Sequence, residues 1–292
     1  MSELNLRANA KINLFLEVLD KRPDGYHNIE TIFQSINLHD TLVFRDARSG
    51  VIKLSSDNTE LPLDSSNLVY KASELLIKES GKNYGVEIYI TKRIPLGAGL
   101  AGGSTDAAAT LVGLNELWSL GYTINDLISI GGKLGADVPF CLIGGTAIGR
   151  ERGDVLTKLN PIPKLYVVIA NPGFQVSTAW AYESLVNLGL TRERKSGNIL
   201  IESISKGELS DIGDSLYNVF EPVVMNEYPI VRELKANLAQ SGILGVLMTG
   251  SGPTVFALTQ DISSAEKIQQ QARQHVGYCV VTETSDFSIA RI

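Results

Sequence analysis

The sequence Pro95-Leu96-Gly97-Ala98-Gly99-Leu100-Ala101-Gly102-Gly103-Ser104-Thr105-Asp106 decides how the rest of this 292-residue chain is interpreted. Residues 86–91 before it alternate as a β-strand does, and the apolar spacing after it predicts a helix. Backbone N–H groups in such a glycine-rich turn, together with the N-terminus of the following helix, can bind phosphate. We therefore predict a polyphosphate site, to which Ser104 and Thr105 add hydroxyl groups for phosphate or Mg²⁺.

The same loop allows other interpretations. Residues 97–102 match G-x-G-x-x-G, which is typical of dinucleotide sites in Rossmann units. A Rossmann unit also needs a second parallel strand that ends in an acidic residue about 20 positions on, whereas here that stretch is still helical and Glu116 lies on the helix. No lysine follows the last glycine, so the loop is not a P-loop. A plain connector with Ser104 as the helix N-cap remains the alternative to a phosphate site.

The N-terminal segment predicts a strand with an unusual polar face. Even-numbered residues from Leu4 to Val18 are apolar, which is the period of a β-strand. The opposite face carries Asn9, Lys11 and Asn13, so three polar side chains project from one side of the strand. Taken alone, Lys11 is better explained as an edge lysine whose ammonium reaches water.

A tight turn is predicted at Arg22-Pro23-Asp24-Gly25, because proline presets φ and glycine accepts a positive φ. Tyr26 and His27 follow it directly. Further alternation from Ile36 to Phe44 indicates another antiparallel strand. By itself, His27 is more typical of a surface turn than of a ligand contact.

The remaining pattern contains both helices and strands. Apolar spacing predicts helices at residues 68–76, from about Asn125, and at 179–186 and 228–241, with strands at 146–150, 165–170, 244–248, 255–258 and 279–283. A capping box at Ser263 to Glu266 predicts one more helix start. Residues 189–213 are polar and weakly periodic, so we expect a loop-rich insertion. The pattern breaks around Pro161 and Pro163, which we take as a domain boundary.

Composition excludes several classes of function. With 44% hydrophobic and 20% charged residues, the chain is typical of a globular protein of two packed domains. A net charge of −6 and a pI near 5.2 argue against a nucleic-acid partner. Residues 1–11 lack the features of a signal peptide and no apolar run suits a membrane helix, so we expect a cytoplasmic protein with no membrane partner. Cys141 and Cys279 have neither disulfide nor metal-site spacing and are expected to be buried thiols. The sequence indicates no oligomeric state.

Five segments occur in the order that is seen in GHMP kinases, and the resemblance covers nearly the whole chain. They are Asn9-Ala10-Lys11-Ile12-Asn13, Asp24-Gly25-Tyr26-His27, Pro95 to Asp106, Gly135-Ala136-Asp137-Val138-Pro139-Phe140, and Thr249-Gly250-Ser251-Gly252-Pro253-Thr254. The resemblance implies a two-domain α+β fold. Residues 1–160 would form the ATP-binding domain, of the ribosomal protein S5 domain 2-like type, and residues 161–292 a ferredoxin-like domain. The active site would lie between them.

The resemblance also implies the site residues for phosphoryl transfer. Lys11 and Asp137 would be the catalytic pair, with Asp137 taking or orienting the proton of the acceptor hydroxyl and Lys11 facing the phosphate. Mg²⁺-ATP would lie on residues 95–105. Asn67 matches a position near the adenine, although a helix N-cap explains it equally well. From the residues alone, a turn residue after a helix is the favoured interpretation of Asp137.

Within the family, the Lys11 and Tyr26-His27 segments resemble those of members that act on a cytidine diphosphate sugar alcohol. Tyr26 and His27 would hold the cytosine, and Thr178 and Tyr182 match a second contact segment. An aromatic face can stack on a pyrimidine while a histidine binds its polar edge. Asn13 would reach the acceptor from the Lys11 face. Residues 250–252 would close around the acceptor or phosphate; a hairpin turn is the alternative.

Two residues depart from the pattern of the family. Ala101 stands where glycine is common, and Thr105 where serine is common. Because alanine is strained at positive φ, we expect a negative φ at Ala101. Thr105 keeps its hydroxyl.

Three alternatives to the cytidine-bearing acceptor remain open. The nearest is another acceptor within the same kinase family. An NAD(P)-dependent oxidoreductase belongs to a different reaction class, and titration with ATP and with NADH separates the two. A non-catalytic nucleotide-binding or RNA-binding module is the third, and the acidic charge disfavours it.

Overall fold

A computed structural model describes residues 3–187 and 194–292 of the chain. The secondary structure of these ranges comprises, in chain order, β1 (Glu3–Lys21), β2 (His27–Asp46), β3 (Ile52–Ser56), α1 (Leu68–Ser80), β4 (Val86–Thr91), α2 (Gly102–Leu117), α3 (Ile124–Gly131), α4 (Val138–Ile143), β5 (Thr146–Arg150), β6 (Val155–Lys158), β7 (Tyr166–Asn171), α5 (Thr178–Asn187), α6 (Asn198–Lys206), α7 (Leu209–Asp214), β8 (Tyr217–Asn218), α8 (Glu221–Glu227), α9 (Pro229–Leu238), β9 (Gly245–Met248), β10 (Val255–Thr259), α10 (Ile262–Ala272), β11 (Tyr278–Ser285) and β12 (Ile289–Arg291). None of these helices has the length and apolarity that a membrane crossing requires. The cytoplasmic location stays a prediction.

The long antiparallel pair β1–β2 is the frame of the N-terminal half. β8 and β12 add to β1, while β4 and β5 pair with β2 and are extended by β3 and β6. Every residue from Ala8 to Val18 is buried, so the polar face of β1 is covered by protein and does not face water. The expected strand is therefore confirmed, but it lies in the interior of the molecule.

The register of β1 against β2 is interrupted on both sides of Lys11. One irregularity lies between Asn9 and Lys11, and a second lies between Asn13 and Phe15. At the second, two steps along β1 correspond to one step along β2, from Phe33 to Ile32, which is the signature of a β-bulge. Bulges bend a strand and change the direction of its side chains, and these two flank the segment that presents Lys11.

The C-terminal half contains an antiparallel sheet in the order β11-β7-β10-β9. With a helical segment between β7 and β9 and α10 between β10 and β11, this is the β-α-β-β-α-β arrangement of ferredoxin-like domains. β11 continues past this sheet and pairs with β2 at Thr284 and Ser285, so one strand joins the two halves. A core cluster lies across the same junction and includes Ile12 of β1, Ile169 of β7 and Phe256 of β10.

Most expected elements are confirmed, but some local predictions are wrong. The segment 189–213, expected to be loop-rich, contains α6 and α7. Leu200 and Ile204 lie one turn apart and bury the inner face of α6. Residues 189–193 of this segment lie outside the described residues. The N-cap of α10 is Asp261, whose carboxylate accepts from the N–H groups of Ser263 and Ser264, so the predicted capping box is wrong. The short strands β8 and β12 were not predicted. The boundary at residues 160 and 161 stays a prediction, and β12 returns across it to pair with β1.

Both cysteines are free and buried, as the sequence predicts. Burial raises the pKa of the Cys279 thiol to about 11 and also raises that of Cys141. Thiolates are the reactive form of cysteine, so both side chains are held in their unreactive state at neutral pH.

A buried group of charges joins the glycine-rich loop to the sheet. The ammonium of Lys92, directly after β4, forms ion pairs with Asp40 of β2 and with Asp106 of α2, the latter at 2.8 Å. The other oxygen of Asp40 accepts from the backbone N–H groups of Arg93 and Ile94. Burial alone would lower the pKa of Lys92, but the two carboxylates outweigh it and raise that pKa.

The Asp106 carboxyl gives this group a measurable pH dependence. Burial raises the pKa of Asp106 to about 8, although Lys92 opposes the shift. The folded state then holds a proton that the unfolded state releases above about pH 4, so this contribution to stability is lost as the pH rises towards 8. Compared with Asp106→Asn, the wild type should lose up to about 1.4 kcal/mol of unfolding free energy per pH unit between pH 5 and 7. Urea denaturation at several pH values measures the difference.

Asp126→Asn is the matched control for this prediction. Hydrogen bonds from Thr123 lower the pKa of Asp126, which is therefore ionised in both the folded and the unfolded state from pH 5 to 7. Its effect on unfolding free energy should not change over that range. An equally constant difference for Asp106→Asn would contradict the prediction.

Candidate active site

A cavity of about 1020 Å³ lies between the two halves, and it brings together most of the predicted site residues. Those that line it are Lys11, Asn13, Tyr26, His27, Gly97, Ala98, Gly99, Ala101, Gly102, Gly103, Ser104, Asp137, Thr178 and Tyr182. Five others, Pro95, Leu96, Leu100, Thr105 and Asn67, lie beside the cavity without lining it. In the described part of the chain, no group of three or more His, Cys, Asp or Glu side chains is arranged to hold a metal ion.

The glycine-rich loop leads into the N-terminus of α2, whose first residue is Gly102. Ala101 is the N-cap and makes no side-chain capping hydrogen bond, so the first N–H groups of the helix are not satisfied by a cap side chain. Because Gly102, Gly103 and Ser104 line the cavity, these N–H groups and the helix dipole favour an anion there. α2 leads into α3 and α4 and not into a parallel strand, so the loop is not part of a Rossmann unit.

Ala101 contradicts the expected backbone conformation. Its φ is 59°, in the left-handed region, where an alanine costs about 1 kcal/mol. Gly97 and Gly99 on the same loop also have positive φ. At Gly99 a side chain is excluded as well, because a Cβ would lie 2.5 Å from the carbonyl oxygen of Thr249. The loop thus packs backbone against backbone on the C-terminal half, and its neighbours hold Ala101 in the strained conformation.

Two of the predicted polar groups near the loop are already satisfied inside the protein. Thr105 is buried and its hydroxyl donates to the carbonyl of Asn9 at 2.8 Å, so Ser104 is the loop hydroxyl that faces the cavity. Asn67 is the N-cap of α1: its side-chain oxygen accepts from the Val69 N–H, and its amide donates to the carbonyl of Pro62. The contact of Asn67 with adenine stays a prediction.

Lys11 is a buried residue that lines the cavity. Its side chain is only 5% exposed, which excludes the interpretation as an edge lysine. The ammonium donates to Asn13 Oδ1 at 2.7 Å and to the carbonyl of Gly99 at 3.2 Å, and it lies 3.9 Å from Asp137 Oδ2. An ammonium has three N–H donors, so one remains for the side of Asp137 and the cavity.

Asp137 lies in the turn between α3 and α4, as its sequence context suggests, but its carboxylate is free for another role. It is the N-cap of α4 and makes no capping hydrogen bond, and its side chain is 38% exposed at the cavity. A carboxylate and an ammonium held together at the edge of a cavity can orient a hydroxyl and offset charge on a phosphoryl group.

The aromatic residues form the far end of the cavity. The rings of His27 and Tyr182 stack, with centroids 4.8 Å apart, whereas Tyr26 is 59% exposed and lies beside Arg152. Burial, assisted by the charge of Lys21, lowers the pKa of His27, so its ring is neutral at pH 7. His27 Nε2 is buried and has no hydrogen-bond partner in the described part of the chain.

An unpartnered ring nitrogen at a cavity can bind the polar edge of a ligand. The expected sandwich of a base between Tyr26 and Tyr182 stays a prediction, because Tyr182 here stacks on His27. Thr178 begins α5, and its hydroxyl lies 3.0 Å from that of Ser251, so the predicted second contact segment meets the 250–252 turn at the cavity.

The sequence did not reveal Lys21 and Arg152, which also line the cavity. Lys21 lies opposite His27 in the β1–β2 register, and the predicted turn at residues 22–25 could have indicated that pairing. Arg152 lies in the turn between β5 and β6, and no local pattern connects it to Tyr26. Thr249 was noted only as part of a segment, although its hydroxyl accepts from the N–H of Asn13 at 3.0 Å.

Comparisons with known proteins agree with this geometry. Residues 67–145 match the GHMP kinases N terminal domain, and residues 200–277 match the GHMP kinases C terminal domain. The chain is 47% identical to a 4-diphosphocytidyl-2-C-methyl-D-erythritol kinase of Pelotomaculum thermopropionicum, over 95% of this chain and 96% of the relative. It is 44% identical to the kinase of the same name from Exiguobacterium sibiricum, over 94% of each.

Solved structures extend the comparison to the whole fold. A crystal structure of 4-(cytidine 5'-diphospho)-2C-methyl-D-erythritol kinase is 31% identical, with a TM-score of 0.82 over 97% of this chain and 99% of that one. Homoserine kinase from Cytophaga hutchinsonii is 23% identical with a TM-score of 0.79, over 100% and 98% of the two chains, and so shares the fold. The two-domain α+β fold, the two matched domains and the full-length relatives together show that the chain belongs to the GHMP kinases.

Proposed function

We propose that this small-molecule kinase transfers the terminal phosphate of ATP to the 2-hydroxyl of 4-(cytidine 5'-diphospho)-2-C-methyl-D-erythritol, a step of the non-mevalonate route to isoprenoid precursors. Relatives that match nearly the full chain carry the name of that kinase. The observation that carries the proposal is the position of Lys11. Its ammonium lies between the Gly99 carbonyl of the glycine-rich loop and the carboxylate of Asp137, so one cation faces both the phosphate loop and the acceptor side.

On the donor side, we propose that the phosphates of ATP bind the first N–H groups of α2 and the hydroxyl of Ser104. Residues 95–105 would form the ATP site, with Asn67 near the adenine. Ser104 and Asp137 offer oxygen ligands to one cavity, and oxygen is the ligand that Mg²⁺ prefers, so these residues fit a magnesium ion that accompanies ATP. When bound, Mg²⁺ would neutralise charge on the phosphates.

On the acceptor side, we propose that Asp137 orients the hydroxyl and accepts its proton while Lys11 offsets charge on the transferred phosphoryl group. Tyr26, His27, Thr178 and Tyr182 would bind the cytidine end, and Asn13 would lie beside the reacting hydroxyl. The unpartnered His27 Nε2 and the neutral imidazole support recognition of a base edge rather than of an anion.

The catalytic pair is tested by removing each charge with little change of volume. Asp137→Asn and Lys11→Met should each lower kcat by at least about a hundredfold, the scale of a lost proton transfer or charge stabilisation. Lys133→Met is the control, because it removes a lysine that is ion-paired to Glu79 away from the cavity, and it should leave kcat unchanged. Near-normal turnover by a folded Asp137→Asn or Lys11→Met protein would contradict the role of that residue.

The binding of phosphate by the glycine-rich loop is tested by introducing a negative charge at Gly103. A Cβ there meets only Leu68 Cδ1, at 3.6 Å, whereas one at Gly102 would lie 3.0 Å from Ile94 and point into the core. An aspartate in the first turn also favours the helix, so Gly103→Asp should fold. Its charge should repel the phosphates and raise the Kd for ATP by at least about tenfold.

Gly103→Asn is the neutral control of nearly equal size and should weaken ATP binding much less. Calorimetric titration with ATP compares the two variants. Equal affinities for the two would mean that the phosphates bind elsewhere.

The cytidine end is tested with matched pairs of stacked rings. Tyr182→Leu removes the partner of His27 and should raise the KM for the acceptor by about tenfold, with a smaller effect on kcat, because a stacked base contributes roughly 1–3 kcal/mol. Tyr84→Leu removes an equivalent stack on Trp118 away from the cavity and should leave that KM unchanged. Steady-state kinetics with methylerythritol phosphate as a cytidine-free acceptor complete the test. Equal efficiency with and without cytidine would exclude the proposed acceptor.

A further inference from the structure

Three hydrogen bonds lead in sequence from Lys11 into the interior of the N-terminal half. The Lys11 ammonium donates to Asn13 Oδ1 at 2.7 Å, and Asn13 Nδ2 donates to Thr31 Oγ1 at 2.8 Å. The Thr31 hydroxyl then donates to the backbone carbonyl of Phe15 at 2.7 Å. Lys11, Asn13 and Thr31 are all buried, so water does not compete with these bonds.

The chemistry of the end groups allows only one direction for this chain. An ammonium can only donate and a carbonyl can only accept, so the Thr31 proton must point to Phe15 and its oxygen must accept from Asn13. The amide of Asn13 then has its NH₂ group on Thr31 and its oxygen on Lys11. The orientation of the amide is thus set by Lys11 on one side and by Thr31 on the other, although Thr31 itself does not line the cavity.

Two features of the fold bring these groups together. The β-bulge between Asn13 and Phe15 shifts β1 against β2, and Leu16 then lies opposite Thr31. From the C-terminal half, Thr249 Oγ1 accepts the backbone N–H of Asn13 and lies 3.3 Å from Asn13 Oδ1. Asn13 therefore has little freedom to move: Lys11 and Thr249 lie at its Oδ1, and Thr31 is the acceptor for its NH₂ group.

We propose that Thr31 is a positioning residue for phosphoryl transfer, because it fixes the amide of Asn13 that holds the ammonium of Lys11. The inference rests on the proposed function, because the position of the ammonium matters for turnover only if Lys11 is a catalytic group. Without the hydroxyl, Asn13 Nδ2 becomes a buried donor that has lost its acceptor, which is costly. The amide then shifts to satisfy its NH₂ group, its oxygen moves away from Lys11, and the ammonium leaves its position beside Gly99 and Asp137.

Kinetics of Thr31→Val test the proposal. This change keeps the shape of the side chain and removes the hydroxyl, so kcat should fall by about ten- to a hundredfold, the scale of a misplacement of about 1 Å in an active site. The KM values for ATP and for the acceptor should change by less than about threefold, since Thr31 touches neither. Thr31→Ser restores the hydroxyl and should restore kcat.

Thr259→Val is the matched control for a purely structural effect. Thr259 is also fully buried, and its hydroxyl donates to the carbonyl of Gly242 and accepts from the N–H of Asp261. Thr31→Val and Thr259→Val should lower the Tm to a similar extent, but only Thr31→Val should lower kcat. A folded Thr31→Val enzyme with the kcat of the wild type overturns the proposal.

A double-mutant cycle with Asn13→Leu tests whether Thr31 acts through Asn13. Asn13→Leu should lower kcat at least as much as Thr31→Val, and adding Thr31→Val to it should have no further effect on kcat. Additive losses overturn the proposal. So does an Asn13→Leu enzyme with a raised acceptor KM and an unchanged kcat, because Asn13 would then bind the acceptor and not hold Lys11.

A readout without substrate separates this inference from the proposed function. NMR of protein with ¹⁵N-labelled lysine detects the Lys11 ammonium, whose resonance is assigned by its loss in Lys11→Met. The resonance should be present in the wild type and in Thr31→Ser. In Thr31→Val it should be shifted, or lost by fast exchange. An unchanged resonance in Thr31→Val overturns the inference. A wild type that phosphorylates no cytidine-bearing acceptor refutes the proposed function, while the resonance still decides the role of Thr31. If Thr31→Val does not fold, Thr31→Ala replaces it in every comparison.

Discussion

The contacts of the buried Lys92 ammonium with Asp40 and Asp106 fix both ends of the glycine-rich loop. Lys92 immediately precedes the loop, Asp106 lies in the helix that follows it, and Asp40 belongs to the central strand β2. A buried charge that loses its partner is strongly destabilising, so these three side chains must remain together. The loop between them is therefore held at a fixed distance from the sheet, and the N-terminus of α2 opens onto the cavity.

The middle of the loop is held by β1 and by the C-terminal half. The backbone N–H of Lys11 donates to the carbonyl of Leu100, and the ammonium of Lys11 donates to that of Gly99. On the opposite side, Gly99 packs against the backbone of Thr249 so closely that only glycine fits. Lys11 is thus part of the scaffold of the phosphate loop and also faces Asp137. The same side chain connects the glycine-rich loop with Asp137, so the two cannot be positioned independently.

The C-terminal half completes the cavity rather than adding a separate site. β11 pairs with both β7 and β2, and Thr249 contacts Asn13, so the position of the acceptor site depends on contacts from both halves. The aromatic end combines His27 of β2 with Tyr182 of α5. The basic residues Lys21 and Arg152 reach the same region from the end of β1 and from the turn between β5 and β6. A bound acceptor would accordingly contact segments that lie far apart in the chain.

The sequence by itself determined what depends on neighbouring residues. Alternation predicted β4 with its observed bounds, proline and glycine predicted the turn after β1, and the glycines of residues 97–103 predicted a loop before a helix. Resemblance to the GHMP kinases added Lys11 and Asp137, which local patterns left as an edge lysine and a turn residue. Only the tertiary structure decided that Ala101 takes a positive φ, that Thr105 and Asn67 satisfy protein groups, and that Thr31 lies behind Asn13. These features follow from strand register and from the packing of loops against distant backbone. A pattern of neighbouring residues carries no information about which distant groups will form those contacts.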